Sequence, residues 1–173
     1  AWADLNARYF VPYMIQAAQS PKATPLAKKV APLLASWDLK LRPDSEAKYY
    51  QGAAPAITRA WLNQMIELVL KPNLSENIYK RYTDTLYPVN NDSRSAQPAS
   101  ASKLIWNALQ GKQASVPQNV DFLKGQTADE VVLKALENAL TELSNQYHST
   151  DLNDWKIPVA TMGFSSKNSV GIP

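Results

Sequence analysis

The segment LLASWDLKLRPDSEAKYY, from Leu33 to Tyr50, places acids, a serine and aromatic side chains close together. Two of its carboxylates, Asp38 and Asp44, flank the sequence LKLRP and could in principle share acid–base chemistry. Such a pair works only in a dry pocket that separates the two pKa values. Because Lys40 and Arg42 supply counter-charges between them, we interpret the stretch as a connector between two helices. Trp37, at the end of an apolar helix face, is expected to pack in the core with its N–H bonded to an acceptor.

A second candidate is His148, the only histidine in the chain. A hydrolytic triad built on it would have to recruit Ser144, Ser149 or Asp151, but triads are assembled by the fold and not by adjacency in sequence. The sequence lacks a GxSxG nucleophile elbow, and its nearest approximation, GFSS, has no second glycine. We therefore predict that His148 is a polar residue at the negative end of a helix.

Cofactor motifs are missing as well. The chain contains neither GxGxxG nor GxxxxGK[ST], and it has five glycines in total. NNDSRS, from Asn90 to Ser95, offers oxygen ligands for calcium but lacks the spacing and the closing glutamate of a calcium loop. With no cysteine and one histidine, a transition-metal site is also not expected. The prediction is that this chain has no catalytic, cofactor-binding or metal-binding residues.

Composition excludes further classes of protein. The net charge is +3, and the lysines and arginines are scattered instead of forming the basic stripe that nucleic acid requires, so nucleic-acid binding is not expected. No apolar run approaches the roughly 18 residues of a membrane span. A 45% hydrophobic content over 173 residues is sufficient for one domain with a sizeable core, which we predict to cover residues 1–173.

The elements that surround these candidates are predicted to be helices. Apolar periodicity predicts the first helix from Trp2 to Gln19. Its apolar residues are predicted to share one face of the helix: Leu5, Tyr9, Phe10, Tyr13, Met14 and Ala17. Pro12 should kink this helix or mark its first turn. Thr24 and Pro25 signal the start of a second helix that ends near Trp37. Pro32 lies within it, so a kink or an early stop is expected.

Later elements follow the same logic. A third helix is predicted from Pro55 to Leu70, ended by Lys71 and Pro72. The remaining assignments are an ambiguous stretch with at most one short helix (Leu74–Tyr87), a polar loop (Val89–Ser100), a helix closed by Gly111 (Ala101–Gln110), a helix opened by a Thr127–Glu130 capping box and running to Tyr147, and a β-prone tail from Pro158. Trp2, Trp61 and Trp106 all fall on predicted helix faces, where packing in the core is the ordinary role. The fold class is mainly α, with five or six helices joined by proline-rich connectors and a short extended C-terminal segment.

Five segments resemble the penicillin acylases in order and spacing. They are NARYFVPYM (Asn6–Met14), LLASWD (Leu33–Asp38), ALQGKQASVPQNVDF (Ala108–Phe122), EVVLKALENALTELSNQY (Glu130–Tyr147) and WKIPVATMGF (Trp155–Phe164). The resemblance runs from about Leu5 to Pro173, is weakest over Asn73–Gln97, and fits an internal helical stretch of the β-chain.

This resemblance implies a segment of an N-terminal-nucleophile hydrolase, whose first residue both attacks and supplies the base. Position one here is Ala1, which has neither hydroxyl nor thiol, and Asn90 and Asn91 do not match the oxyanion asparagine of the family. We therefore expect a non-catalytic segment, inactive by itself, of a parent that cleaves the side-chain amide of penicillin G or related N-acyl amides. The resemblance also implies a periplasmic or secreted parent and a structural calcium bound outside this segment.

The implied partners are the α-chain and the catalytic part of the β-chain. A segment separated from them should expose an apolar patch and self-associate through it. One alternative is an independent helical binding module, which should be monodisperse. Another is a stand-alone enzyme that uses His148 or the acidic connector.

Overall fold

A computed structural model of the chain describes residues 2–83 and 98–159, and within these it is mainly helical, as predicted. The six α-helices of the described residues are α1 (Leu5–Ala18), α2 (Pro25–Ser36), α3 (Ala54–Met65), α4 (Glu76–Thr83), α5 (Pro98–Gln110) and α6 (Ala128–Tyr147). A π-helical turn, Ile66–Leu70, extends α3, and 3₁₀ turns occupy Gly111–Gln113 and Leu152–Asp154. Strands β1 (Trp2–Ala3) and β2 (Lys40–Leu41) pair antiparallel.

Helix α1 begins later than the periodicity predicts. Asp4 is its N-cap, and the Asp4 carboxylate accepts a hydrogen bond from the Ala7 N–H at 2.9 Å. Trp2 therefore lies in a strand and not on a helix face, which corrects its predicted position. The helix continues through Pro12, and α2 likewise continues through Pro32 to Ser36, so neither proline stops its helix.

Most other boundaries agree with the sequence signals. Thr24 caps α2 by accepting from the Ala27 N–H, and the predicted third helix ends at Leu70, although its last five residues are π-helical. Helix α5 begins at Pro98, so the final three residues of the predicted polar loop are helical instead. The earlier part of that loop, the stretch from 84 to 87, and the tail beyond Val159 lie outside the described residues.

Helix α6 carries the predicted capping box. The Thr127 hydroxyl accepts from the Glu130 N–H at 3.3 Å, and the Glu130 carboxylate accepts from the Thr127 N–H at 3.1 Å. The bond from the Thr127 N–H, together with a second one in which the Thr127 hydroxyl donates to the Glu130 carboxylate at 3.0 Å, lowers the pKa of Glu130 from its ordinary 4.5. At its other end α6 is closed by His148, which has a left-handed φ of 50°.

The core lies where α6 packs across α3 and α1, while α2 packs on α1. Trp61 of α3 is completely buried, and its indole N–H donates to the Val132 carbonyl of α6 at 3.2 Å. Its ring also lies 5.2 Å from that of Phe10 on α1. One side chain thus contacts all three central helices.

A connector, defined as residues 37–53, joins α2 to α3. It also forms backbone hydrogen bonds with the two outer segments, which are the residues before α1 and the residues after α6. Leu39 accepts a hydrogen bond from the Asp4 N–H at 2.9 Å, and β2 within the connector pairs with β1. Nearer its α3 end, the connector bonds to the segment that follows α6. The Tyr50 N–H donates to the Ile157 carbonyl, and Pro158 forms an antiparallel bridge with Tyr49. The described start of the predicted C-terminal extended segment is therefore paired to the connector.

The substitution Trp61→Phe should lower the free energy of unfolding by roughly 1–3 kcal/mol, because it removes a buried hydrogen bond and leaves a cavity. Trp37→Phe is the matched control, since the half-buried Trp37 indole donates to the Lys40 carbonyl near solvent. Urea unfolding of both variants measures the difference. A loss for Trp37→Phe as large as that for Trp61→Phe would contradict the assigned position of Trp61.

Replacing Thr127 by Ala should destabilise the chain by about 1 kcal/mol at neutral pH, while Thr127→Ser should retain most of the stability. The folded pKa of Glu130 is lowered, so its contribution is complete above pH 4.5 and is lost as pH falls through the lowered value. Thr127→Ala keeps the backbone N–H bond to Glu130 but removes the hydroxyl that donates to the carboxylate at 3.0 Å, so part of its difference from the parent chain should be lost in acid. Thermal unfolding at several pH values tests this, and a difference independent of pH would contradict it.

Candidate interaction surface

The connector acids engage in structural bonds. Asp38 forms a bidentate ion pair with Arg42, with Nη1–Oδ1 at 2.8 Å and Nη2–Oδ2 at 2.5 Å. The hydrogen bond from Arg42 is the main cause of the lowered pKa of Asp38. Asp44 instead accepts from the Lys48 N–H at 2.9 Å, which closes the turn before Tyr49. Each carboxylate is thus bound by a separate partner, with Asp38 exposed and Asp44 half-buried.

Trp37 is only partly buried, so the expectation that its indole lies within the core is met in part. The ring packs against the core from its edge, and its N–H bonds the Lys40 carbonyl at 3.1 Å. The bond spans the first turn of the connector. Trp37 thus positions the connector against α2.

His148 lies at the C-cap of α6, at the negative end of that helix, as the sequence predicts. Its sequence neighbours make local bonds: the Ser144 hydroxyl donates to the Leu140 carbonyl, Ser149 Oγ accepts from the Asp151 N–H, and Asp151 accepts from Asn153. These bonds cap or close turns. Within residues 2–83 and 98–159, no group of three or more potential metal ligands occurs.

A small groove lies beside the π-helical turn. It has a volume of about 220 Å³, and apolar Leu68, Phe122 and Val131 line it together with charged side chains. At its rim, Glu67 accepts hydrogen bonds from the Tyr79 hydroxyl and from Lys71 Nζ, the latter at 2.8 Å. No motif in the sequence indicated that Glu67, Lys71 and Tyr79 would form this cluster.

The chemistry of this rim is that of a fixed ion pair. The hydrogen bond from Lys71 is the main reason why the pKa of Glu67 is lowered, and burial is the main reason why the pKa of Tyr79 is raised. At neutral pH the carboxyl is therefore ionised and the phenol protonated, so neither exchanges a proton readily. We interpret the cluster as a link between the π-helical turn and α4.

An exposed apolar face on α1 is the clearest candidate for function. Leu5 is 69% exposed and Tyr9 is 52% exposed, although the periodicity placed both on one face with Phe10 and Met14, which are buried. Tyr13, half-buried, continues the same face, and half-buried Trp106 of α5 lies beside it. We call these four side chains the aromatic ridge: Leu5, Tyr9, Tyr13 and Trp106.

The ridge is a second face of the helix, distinct from the buried one. At about 100° per residue, Leu5, Tyr9 and Tyr13 are centred about 140° around α1 from the buried side chains. Those buried side chains are Ala7, Phe10, Val11, Met14, Ala17 and Ala18. The predicted single face combined members of both faces, so the prediction that Leu5 and Tyr9 share a face with buried Phe10 and Met14 is wrong.

The rings of the ridge are held in defined contacts. The Trp106 ring lies 5.1 Å from that of Tyr9 and 5.6 Å from that of Tyr13, with interplanar angles of 64° and 88°. These are edge-to-face geometries, which favour one arrangement of the rings. The ridge can therefore present a preformed apolar surface to another protein surface.

The chain is similar to known proteins along its whole length. The family model described as penicillin amidase matches residues 2–165. Penicillin G acylase from Escherichia coli is 28% identical over 172 residues, which are 98% of this chain and 20% of the relative. A solved structure of a thermostable penicillin G acylase from Alcaligenes faecalis superposes with a TM-score of 0.76 at 24% identity, covering 100% of this chain and 31% of that one. The chain thus spans less than a third of the length of either relative.

The Asp38–Arg42 pair yields a direct test of the connector. Arg42→Gln should raise the pKa of Asp38 toward its ordinary 3.8, because the largest cause of its lowering is removed. Lys40→Gln is the control and should raise it less, since Lys40 Nζ lies 3.9 Å away and the Lys40 N–H bond is retained. Carboxyl chemical shifts followed by NMR during an acid titration measure both. An equal response to the two substitutions would exclude the bidentate pair as the main cause.

Proposed function

Because the chain belongs to the penicillin amidase family, we propose that it is a non-catalytic helical segment of a larger hydrolase of that family. The supporting observation is coverage: almost all of this chain aligns with 20% of one acylase and 31% of another. The six-helix body gives the segment a core of its own, so its role is to pack against and support the catalytic part.

The parent protein, in this proposal, hydrolyses the side-chain amide of penicillin G or related N-acyl amides. In an N-terminal-nucleophile mechanism, the attacking hydroxyl and the amine that accepts its proton belong to one residue. Among the described residues, the side chains considered for catalysis near His148 and in the connector, which are Ser144, Ser149 and Asp44, form local hydrogen bonds instead. We therefore assign the chemistry, and the structural calcium implied by the family, to the remainder of a periplasmic or secreted parent.

The pairing of both outer segments to the connector supports this role. Residues 2–4 and 157–159 bond to the same 37–53 stretch, so the segment before α1 and the segment after α6 lie close together. Segments whose two ends lie close together are tolerated as units within a larger fold. The connector would then anchor the helical body where the chain enters and leaves it.

An independent binding module is the second candidate. It is favoured by the completeness of the described interior, in which no buried side-chain polar atom lacks a hydrogen-bond partner. A module of this kind should be monodisperse in solution. Size-exclusion chromatography with light scattering distinguishes it from a segment that self-associates.

We expect the isolated 173-residue chain to release no chromophore from a phenylacetyl-amide chromogenic substrate, whereas the full acylase that contains this stretch should hydrolyse it. The control is the full acylase with its N-terminal nucleophile replaced by alanine, which should also be inactive. His148→Ala in the full acylase should leave turnover unchanged, since His148 acts as a helix cap.

Turnover by the isolated chain that a serine-directed inhibitor abolishes would overturn the assignment as a non-catalytic segment. A complete gene that encodes no further acylase sequence around this stretch would overturn the proposal that the chain is a segment of a larger acylase.

A further inference from the structure

We propose that the aromatic ridge is the surface on which the remaining polypeptide of the acylase docks, an inference that rests on the proposed function. Leu5 and Tyr9 are the two most exposed large apolar side chains of α1, at 69% and 52%. Contiguous apolar side chains of this kind on a folded protein mark a contact site more often than scattered ones do. We therefore expect another protein surface to bury the ridge.

The ridge is built like the centre of an interface. Tyr and Trp are enriched among the residues that dominate binding energy, because they bury a large area at a small cost in conformational entropy. Trp106 packs edge-on against Tyr9, Tyr13 and Phe10, and Phe10 in turn contacts the buried Trp61. The exposed rings are thus connected to the core through a continuous series of aromatic contacts.

Charge around the ridge defines the chemistry of its occupant. Arg8 follows Leu5 by three residues on α1, and Lys103 precedes Trp106 by three residues on α5. Both are exposed, and neither forms an ion pair with another described residue. The nearby Asp4 carboxylate is bound to the Ala7 N–H as a helix cap. The occupant is therefore expected to be an apolar surface bordered by carboxylates.

Area favours a segment of the same polypeptide over a second copy of this chain. Four side chains, two of them half-buried, offer a few hundred Å² at most, since a whole aromatic side chain buries about 150–250 Å². A stable complex between separate proteins buries about 800 Å² per partner. A covalently linked surface needs less, because the link raises its effective concentration. The relatives have more than two thirds of their length outside the matched region, which supplies such a surface.

Hydroxyl-radical footprinting of the isolated chain and of the full acylase tests the inference. Oxidation of Tyr9 and Trp106 should fall several-fold in the full acylase, while oxidation of Ile78, which is 47% exposed and lies on α4, should change little. Equal oxidation of the ridge in the two proteins would overturn the inference while leaving the acylase activity, and with it the proposed function, intact.

Matched variants provide an independent readout. In the full acylase, Leu5→Glu should lower the melting temperature by several degrees, and Arg8→Glu should lower it by a smaller amount. The controls are Val120→Glu, at an apolar site that is 52% exposed, and Lys29→Glu, at an exposed lysine of α2 that forms no ion pair with another described residue. Both should change the melting temperature little. In the isolated chain, all four variants should melt close to the unsubstituted protein.

Two outcomes would assign the ridge differently. If oxidation of Tyr9 in the isolated chain falls as protein concentration rises, and Leu5→Glu abolishes that fall, a second copy is the occupant and the inference is wrong. If Leu5→Glu and Val120→Glu destabilise the full acylase equally, the ridge has no special contact. A gene that encodes no acylase would remove the proposed function itself, which is a separate failure.

Discussion

The contact of Trp61 with its two neighbouring helices is the interaction on which the rest of this structure depends. The indole is completely buried, donates to the Val132 carbonyl of α6 and packs against Phe10 of α1. A buried indole N–H without an acceptor would cost free energy, so this hydrogen bond fixes the position of α6 against α3. Because α1 contacts the same ring, the orientation of its exposed face follows from this contact.

Around that core, the connector links the segment before α1 to the segment after α6. The connector gathers the features that suggest chemistry in the sequence: two carboxylates, basic residues and tyrosines. In the structure, Asp38 binds Arg42, and the backbone around Tyr49 and Tyr50 pairs with residues 157–159. Charged residues in a turn are often there to satisfy backbone and side-chain partners, and this connector is an example.

The aromatic ridge and the small groove differ in what they can do. The groove beside the π-helical turn is lined by Lys124 and Lys134 as well as by apolar side chains, and Glu67 at its rim is paired with Lys71. The ridge is bordered by Arg8 and Lys103, which no described acid compensates. Uncompensated charge beside preformed aromatic surface favours association, since a partner can supply both the apolar contact and the opposite charge.

The sequence by itself determined the helical class, the capping box of Thr127 and Glu130, the start of α2 at Thr24 and Pro25, and the family resemblance. The helical periodicity and the helix caps depend on residues at most three or four positions apart, so they can be recognised from the sequence. The family resemblance depends on the order of longer segments, which the sequence also shows. Only the tertiary structure decided that α1 has two apolar faces, that Trp2 lies in a strand, and that the connector binds both outer segments. Periodicity shows that apolar side chains share a helix surface but not which neighbour covers them. For α1, that depends on α3, α5 and α6, which follow it along the chain by many residues.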